Sequence, residues 1–362
     1  MPKSEYRIAL LPGDGVGPEV VASARSVLDA AATSNGIAIT YETYEAGVRL
    51  YQQTGQGISA DTMERIGEAD AILLGAMGLP GIRKTDGTEV TPQIEIREHY
   101  KLFASLRPAR LFDGVEGALR RGAVDMLVIR ETTEGLFAGR LDPQGDDPDS
   151  ASDRLTFTRS TSEKLFELAF VQARLRRAAG GRGKVTLLDK ANVLSSFAFL
   201  RSIFDEVAAR NPDVPTERLY IDSACMLMVL DPERFDVVVT ENQFGDIVSE
   251  IGAGITGGLG LQPSADVGDV HAMFQPCHGS APDISGKGIA NPIATILSTA
   301  LMMEWLAERY QDMRAAAVAA KIREAVARVL IEGPRTADLG GNASTDEITA
   351  AIVAALAPTV ET

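Results

Sequence analysis

Two acidic side chains four residues apart, Asp246 and Glu250, are spaced so that they could bind one metal ion. The apolar run 235–239 predicts a buried strand, and Gly245 then opens a predicted helix. Helical positions four apart lie on one face, where two carboxylates repel each other unless a cation lies near them. Two interpretations follow from the pair itself: Asp246 complements the helix N-terminus while Glu250 is solvated, or both carboxylates serve a cation.

Three arginines, Arg97, Arg107 and Arg130, are candidate anion ligands. The chain has 35 Lys and Arg against 50 Asp and Glu, a formal net charge of -15, so binding an anionic substrate requires arginines gathered in one place. Guanidinium groups hold carboxylates through two parallel hydrogen bonds. A lone arginine is more often solvated or salt-bridged, so only the set of three is informative. The same acidity argues against a nucleic-acid surface.

The elements that must position these residues alternate between strand and helix. Strand-like segments at 6–11, 37–45 and 70–75, with a helix that starts near Pro18 and another before 70, give a βαβα order. This order predicts a mostly parallel sheet. The glycines of segment 12–19, PGDGVGPE, are spaced GxGxG and not GxGxxG, which argues against a Rossmann dinucleotide fingerprint.

Length and composition set the outer limits. A chain of 362 residues exceeds the usual size of a single core, so two packed lobes are expected. Cys225 and Cys277 have no CxxC partner and cannot form a disulfide framework; both are expected to be small buried residues. The first apolar run, 8–11, is too short for a signal peptide, and no run reaches membrane-spanning length. We expect a cytoplasmic enzyme with no membrane partner.

The sequences of several segments resemble the motifs of one enzyme family, the β-decarboxylating dehydrogenases. Members of this family act on 3-isopropylmalate, isocitrate, homoisocitrate and tartrate or D-malate. The resemblance extends from Ile8 to about Ile352. The segments that carry it are PGDGVGPE at 12–19, DKANVL at 189–194, NQFGDIVSE at 242–250 and HGSAPDISGKGIANP at 278–292.

The resemblance implies a fold. It is the isopropylmalate-dehydrogenase-like α/β fold, two-lobed with parallel or mixed sheets and distinct from Rossmann. One lobe, on the cofactor side, would comprise 1–102 and 257–362, and the smaller lobe, 103–256, would carry the dimer interface and an arm at about 138–160. Composition leaves the acidic stretch 141–153 open between such an arm and a plain surface loop. The remaining predicted elements are strands at 135–139, 154–160 and 184–189, a strand that ends in Asp222, and helices at 161–179, 293–309 and 312–331.

The resemblance also implies a metal site shared between two protomers. Mg²⁺ or Mn²⁺ would be held by Asp246 and by Asp222 from the opposite subunit of a homodimer, with Glu250 as a further candidate that acts through water; all are hard oxygen donors. Lys190, also from the opposite subunit, would relay a proton, and Asp222 would act as a base as well as a metal ligand. Two residues depart from the family pattern: Phe137 stands where a tyrosine acid is usual, and Glu250 stands where aspartate is usual.

The substrate would be a small 2-hydroxy acid. Arg97, Arg107 and Arg130 resemble the family's ligands for the malate carboxylate. Thr91, Gln93 and Ile94 stand where the family faces the 3-substituent of the substrate. A buried amide without a partner is costly, so a small or polar substituent is favoured over isopropyl, and D-malate, tartrate and isocitrate stay open.

The resemblance implies NAD as the cofactor. Asp283 would accept hydrogen bonds from the adenosine ribose and repel a 2′-phosphate, and NADP-dependent relatives tend to carry Lys and Tyr at positions 283 and 284. His278 and Asn291 would meet the adenine. The implied cofactor residues are Asn192, His278, Gly279, Ser280, Ala281, Asp283, Ile284, Asn291 and Asp338.

The function implied is NAD- and metal-dependent oxidation and decarboxylation of a (2R)-malate-type acid. Alternatives are an isocitrate-type substrate, oxidation without efficient loss of CO₂, and a non-catalytic regulatory subunit of a hetero-oligomeric dehydrogenase. Phe137 and Glu250 favour the regulatory subunit, whereas Lys190, Asp222 and Asp246 argue against it.

Overall fold

One ten-stranded sheet organises the chain in the computed structural model, which describes residues 3–119, 123–142 and 149–357. Its strands are β1 (Glu5–Leu11), β2 (Ala38–Thr43), β3 (Ala71–Leu74), β4 (Ala104–Arg110), β5 (Asp125–Glu131), β6 (Val185–Asp189), β7 (Thr216–Tyr220), β8 (Val237–Thr240), β9 (Pro263–Val267) and β10 (Ala272–Pro276). Strands such as β3 and β8 are buried at every position, as expected for strands covered on both faces.

The order of the strands across the sheet is β2-β1-β3-β10-β9-β4-β5-β8-β6-β7. The two ends are parallel: β2, β1, β3 and β10 at one end, and β5, β8, β6 and β7 at the other. Between them, β9 and β4 pair antiparallel with each other and with their outer neighbours. The predicted α/β class with a mixed sheet is therefore confirmed.

Helices cover both faces of this sheet. They are α1 (Gly17–Thr33), α2 (Val48–Thr54), α3 (Ala60–Ile66), α4 (Pro92–His99), α5 (Arg159–Ala178), α6 (Ser195–Arg210), α7 (Ile221–Leu230), α8 (Asn242–Ile255), α9 (Ile293–Tyr310), α10 (Met313–Glu332) and α11 (Thr345–Ala355). Across 3–119, 123–142 and 149–357, none of the helices has the length and apolar character needed to cross a bilayer.

The hydrophobic core follows the alternation of side chains along the strands. Ile8 and Leu10 of β1 and Ile129 of β5 belong to one cluster, which runs along a whole face of the sheet beneath α1, α5, α6, α9, α10 and α11. The opposite face holds two separate clusters, one under α3 and α4 and one under α7 and α8. The single sheet and its larger hydrophobic cluster both contain residues from each predicted lobe, 1–102 with 257–362 and 103–256. The division into two lobes stays a prediction.

Three sequence predictions about elements near the site are wrong. The predicted strands 135–139 and 154–160 reduce to a single bridge between Gly135 and Thr156, because a 3-10 turn follows at Ala138–Leu141 and the Thr158 side chain caps α5. The stretch 143–148 of the predicted arm lies outside the described residues.

The other two errors concern helix starts. Asp222 lies in the first turn of α7 and not at the end of a strand, since β7 ends at Tyr220; a short apolar run does not by itself separate strand from helix. Helix α8 begins at Asn242, three residues before Gly245, because the Glu241 side chain accepts hydrogen bonds from the backbone of Gln243 and Phe244.

Gly245 allows α8 to lie directly against β5. A Cβ placed on Gly245 would lie 2.6 Å from Cβ of Arg130, which is closer than real side chains approach. The next residue of the helix is Asp246, so this close approach is what brings its carboxylate to the arginines of β4 and β5.

We predict that Gly245→Ala moves α8 away from β5 and lowers the free energy of unfolding by about 1–3 kcal/mol, as overpacking usually does. Gly254→Ala is the matched control, because Gly254 is exposed in the same helix and a Cβ there meets no atom within 4 Å. That control should be neutral or stabilising by up to about 1 kcal/mol. Urea denaturation of both variants measures the change in the free energy of unfolding. Equal changes in Gly245→Ala and Gly254→Ala would contradict the proposed packing.

Candidate active site

A pocket of about 210 Å³ gathers side chains from both halves of the sheet and from the helices beside it. It holds most of the residues predicted for the substrate. Its lining residues are Ala76, Met77, Gln93, Ile94, Arg97, Arg107, Arg130, Phe137, Asp246, Ser264, Gln275, Pro276, Cys277, His278 and Gly279.

The three predicted arginines are all buried and all line this pocket. Arg107 on β4 donates from Nη1 to Asp246 Oδ1 at 3.0 Å, and Arg130 on β5 donates to the same oxygen. Arg130 also donates through Nε and Nη2 to Asn242 Oδ1, at 3.0 and 2.7 Å. Arg97 on α4 donates through Nε to Asp266 Oδ2 at 3.0 Å. The pocket thus carries three guanidinium groups against two directly bonded carboxylates.

Electrostatics favour an anionic ligand in this pocket. Burial, together with the positive charge of Arg107, lowers the pKa of the Arg130 guanidinium from its usual value. A carboxylate brought into the pocket would offset both effects, since it supplies the opposite charge and hydrogen-bond acceptors. The side chain of Asp246 is 46% exposed, so it is the acidic partner that solvent and ligands can reach.

The residues predicted to face the 3-substituent lie on the first turn of α4. Gln93 and Ile94 line the pocket, while Thr91 is the residue just before the helix and is not among the lining residues. Oε1 of Gln93 is buried and makes no hydrogen bond with any described residue. An unpaired buried acceptor in a pocket wall suits a ligand that brings a hydrogen-bond donor.

Phe137 also reaches the pocket, at the position where a tyrosine was expected. Its ring centroid lies 5.4 Å from the guanidinium carbon of Arg130, within the range of a cation–π interaction. The ring stabilises the charge of Arg130, but it has no proton to give. Cys277 lines the same pocket as a free thiol, and burial raises its pKa to about 11, so it is uncharged at neutral pH.

Asp246 and Glu250 are a chemically suitable part of a divalent-metal site. Partial burial raises the pKa of Glu250; the charge of Arg107 opposes this rise, while repulsion from Asp246 one helical turn away adds to it. A hard cation would relieve that repulsion, and carboxylate oxygens are the donors that Mg²⁺ and Mn²⁺ prefer. Among the residues described, however, no group of three or more His, Cys, Asp or Glu side chains could hold an ion. One chain therefore supplies only part of the predicted metal shell.

The remaining predicted catalytic residues form a separate pair outside the pocket lining. Lys190, at the end of β6, donates to Asp222 Oδ1 at 2.6 Å, and this bond lowers the pKa of the Asp222 carboxyl. The Asp222 side chain is 65% exposed. Asn192 is exposed in the turn after Lys190, and it too lies outside the pocket lining. Within one chain, then, the structure brings Lys190 and Asp222 together but does not bring them to Asp246.

Two of the predicted cofactor residues line the pocket, and two others are bonded to each other. His278 and Gly279 line the pocket; Nδ1 of His278 lies 2.9 Å from Gly279 O, and Nε2 is buried with no partner among the described residues. Asn291 donates to Asp338 Oδ2 at 3.0 Å. Burial lowers the pKa of His278, so its ring is neutral at pH 7 and its unpaired nitrogen suits a polar ligand atom.

The loop that holds the other predicted cofactor residues rests on the segment 12–19. The backbone N–H of Val16 donates to Ser280 O at 2.8 Å, and Ala281 and Ile284 pack against an apolar cluster that includes Val16. Asp283 is exposed at the outer side of this loop.

Glu19 is a positioning residue that was not predicted from the sequence. Its two carboxylate oxygens accept hydrogen bonds from the backbone of Gly286 and Gly288, both at 3.1 Å. These bonds tie the start of α1 to the predicted cofactor loop. Glu19 ends the PGDGVGPE segment, so the motif contained the residue, but nothing in the motif indicated which backbone groups it would bind.

Comparison with known proteins identifies the family. Residues 7–352 match the family model described as isocitrate/isopropylmalate dehydrogenase. The chain belongs to this family. The resemblance predicted from the motifs is therefore confirmed, and the chain is a decarboxylating dehydrogenase that acts on a CH–OH group.

The chain aligns with known relatives and with a solved structure over nearly its full length. The chain is 41% identical to the 3-isopropylmalate dehydrogenase of Chlorobaculum tepidum, over 96% of this chain and 99% of that one. It is 40% identical to the 3-isopropylmalate/3-methylmalate dehydrogenase of Methanocaldococcus jannaschii, over 95% and 96%. The crystal structure of isocitrate dehydrogenase from Methylococcus capsulatus superposes with a TM-score of 0.85 at 34% identity, covering 97% of this chain and 99% of that chain.

We predict a pH-dependent contribution to stability from Glu131, which follows Arg130. Its carboxylate accepts hydrogen bonds from Thr133 and Glu134, but burial dominates and raises its pKa from 4.5 to about 7. Because the folded state binds this proton more tightly, the contribution is complete below pH 4.5 and is lost as the pH rises to about 7. The loss amounts to about 3 kcal/mol.

Glu131→Gln removes this titration. The difference in unfolding free energy between wild type and Glu131→Gln should fall by about 3 kcal/mol from pH 4.5 to 7.5, as measured by urea denaturation at several pH values. Parallel curves for the two proteins over that range would show that Glu131 does not titrate in this window.

Proposed function

We propose that the chain catalyses the NAD- and divalent-metal-dependent oxidation and decarboxylation of a (2R)-malate-type 2-hydroxy acid. The observation that carries the proposal is the gathering of Arg97, Arg107 and Arg130 in one pocket with Asp246. Oxidation of the 2-hydroxyl gives a β-keto acid, whose free carboxylate can leave as CO₂.

The arginines hold the carboxylate of the malate group and fix its orientation. Arg107 and Arg130 lie on neighbouring antiparallel strands, and Arg97 approaches from α4, so their donors converge from two sides. Oriented binding of this kind contributes to the rate, because it converts an encounter into a fixed geometry. Phe137 packs on Arg130 and keeps water from one side of that guanidinium.

Mg²⁺ or Mn²⁺ would be held by Asp246, with Glu250 close by and Asp222 of the partner subunit completing the protein ligands. When bound, such an ion polarises the substrate oxygens as a Lewis acid. Asp246 would then be shared between the ion and the two arginines that it now accepts from. Glu250 is one turn away, and a cation bound beside it would favour the charged form of its carboxylate, whose pKa is raised in the structure.

The active site would be completed by a second copy of the chain. Lys190 and Asp222 are bonded to each other yet stand apart from the pocket, and Lys190 would exchange a proton with the substrate hydroxyl of the neighbouring protomer. Helix α7, which holds Asp222, and helix α8, which holds Asp246, expose several large apolar side chains, and this supports a homodimer interface on these helices. These are Met226, Val229, Leu230 and Ile247.

NAD would bind at the rim formed by His278 and the loop that follows it. The buried and unpaired Nε2 of His278 supports a ligand there, and the bonded pair of Asn291 and Asp338 lies on the same side. The exposed carboxylate of Asp283 can accept from two ribose hydroxyls and would repel a 2′-phosphate, which favours NAD over NADP.

The 3-substituent is proposed to be small or polar. The unpaired Oε1 of Gln93 supports a substituent with a hydrogen-bond donor, as in tartrate, while Ile94 and Met77 beside it leave apolar wall for a short alkyl group. D-malate, tartrate and isocitrate are therefore proposed ahead of 3-isopropylmalate, although the two relatives at 40–41% identity are named as a 3-isopropylmalate and a 3-isopropylmalate/3-methylmalate dehydrogenase.

The purified chain assayed alone with NAD⁺, Mn²⁺ and a panel of four acids tests this function. We expect NADH formation with D-malate, tartrate or isocitrate at a higher kcat/KM than with 3-isopropylmalate, and CO₂ released in equal amount. Gln93→Leu should shift the ratio toward 3-isopropylmalate by about tenfold or more, because it removes the unpaired amide.

The other outcomes of this assay are equally informative. No NADH with any acid would contradict the proposal and favour the regulatory-subunit alternative. NADH in clear excess over CO₂ would show oxidation without efficient decarboxylation, which the phenyl ring of Phe137 makes chemically reasonable. An unchanged preference in Gln93→Leu would remove Gln93 from the substrate site.

We predict that active sites are restored when two inactive variants share a dimer. Asp246→Asn and Lys190→Ala should each be inactive alone. In a mixed dimer, one site combines the intact Asp246 of one chain with the intact Lys190 of the other, so about half of the wild-type activity per dimer returns. Co-expression with two different tags isolates the mixed dimer.

The matched control pairs Asp246→Asn with Arg107→Ala. Both residues belong to the same protomer's pocket, so every site in that mixed dimer carries a defect and should stay inactive. Recovery in the control, or no recovery with Lys190→Ala, would contradict shared active sites.

A further inference from the structure

Asp266 is a fully buried acid that the proposed mechanism does not use. It lies near the middle of β9, opposite Met273 of β10 on one side and opposite Ser105 of β4 on the other. Its Oδ2 accepts from Arg97 Nε at 3.0 Å and from Gln275 Nε2 at 2.9 Å. Arg97 and Gln275 both line the substrate pocket, whereas Asp266 lies beneath it.

A carboxylate in the middle of a sheet is strongly unfavourable unless a charge and hydrogen bonds compensate it. Here Arg97, whose side chain is 9% exposed, supplies the charge, and the hydrogen bonds reach Oδ2 while Oδ1 has no partner among the described residues. The bond uses Nε, the donor nearest the stem of the side chain, and leaves the two terminal nitrogens for a ligand. Fixing Nε also fixes the plane of the guanidinium, and therefore the direction in which the terminal nitrogens present their protons.

The other two arginines have a different kind of partner. Arg107 and Arg130 share Asp246, whose side chain is 46% exposed and is the proposed metal ligand. Asp266, at 0% exposure, is out of reach of an ion or a substrate. Arg97 is thus the arginine with a permanent counter-ion, and its orientation does not depend on what occupies the pocket.

We propose that Asp266 is a positioning residue for substrate binding: it holds the guanidinium of Arg97 in the orientation that receives the substrate carboxylate. Gln275 supports the arrangement, because its amide donates to the same oxygen from the pocket wall. This inference rests on the proposed function in that it takes the ligand of Arg97 to be a carboxylate.

Two substitutions separate orientation from charge. Asp266→Ala removes the acceptor for Arg97, and we expect KM for the hydroxy acid to rise at least tenfold while kcat and KM for NAD⁺ change less than threefold. That split is typical of losing an interaction made equally in the ground state and the transition state. Asp266→Asn keeps an oxygen acceptor without the charge, and we expect it to restore KM to within threefold of wild type.

The matched control is another buried aspartate that pairs with an arginine Nε. Asp236 is 2% exposed and accepts from Arg176, but neither residue lines the pocket. Asp236→Ala should lower the thermal stability and leave KM for the hydroxy acid unchanged. If Asp266→Ala does not fold, Asp266→Ser takes its place. The serine hydroxyl is too short to reach Arg97, so we expect the same rise in KM.

Calorimetric titration of each protein with D-malate provides a readout that does not need turnover. Weaker D-malate binding in Asp266→Ala, with wild-type binding in Asp236→Ala, supports the inference even if wild type forms no NADH, in which case only the proposed function fails. An active wild type with an unchanged KM in folded Asp266→Ala overturns the inference alone. A rise in KM in Asp266→Asn or Asp236→Ala equal to that in Asp266→Ala also overturns the inference about Asp266. A wild type that neither binds D-malate nor turns over any acid overturns both proposals.

Discussion

Three guanidinium groups, those of Arg97, Arg107 and Arg130, are buried side by side, and the rest of the site depends on keeping them charged there. Like charges this close repel each other, and burial weakens the screening that water would supply. The protein compensates with two carboxylates, Asp246 from α8 and Asp266 from β9. The compensation is incomplete by one charge among the directly bonded groups, and that residual positive charge favours an anionic ligand even though the whole chain has a net charge of -15.

The architecture follows from that requirement. The antiparallel strands at the centre of the sheet bring β4, β5 and β9 together, so that arginines from two strands and an acid from a third meet at one place. Gly245 then lets α8 approach β5 closely enough for Asp246 to bond with Arg130. A larger residue there would separate the charges that balance each other, so the ion pair between Asp246 and Arg130 depends on the close packing of the backbone at Gly245.

Two groups of predicted active-site residues lie apart from each other within a single chain. The pocket holds the arginines and Asp246, and the pair of Lys190 and Asp222 stands elsewhere. Large apolar side chains are exposed on the helices of both groups: Met226 on α7, which holds Asp222, and Ile247 on α8, which holds Asp246. In the proposed homodimer, association of two chains would cover this apolar surface and bring the exposed Asp222 of one chain to the Asp246 and Glu250 of the other.

Sequence by itself determined the alternation of strands and helices, the set of three arginines, and the motifs that identify the family. These features depend on periodicity, capping and short spacings, which act between near neighbours in the chain. It did not determine that Asp222 begins a helix, that 135–139 forms no strand, or which partners the buried charges have. Arg97 and Asp266 are 169 positions apart, and Arg107 and Asp246 are 139 apart. Only the packed sheet decides such pairs, because the energy of a buried charge depends on what the fold brings beside it and not on what precedes or follows it in the chain.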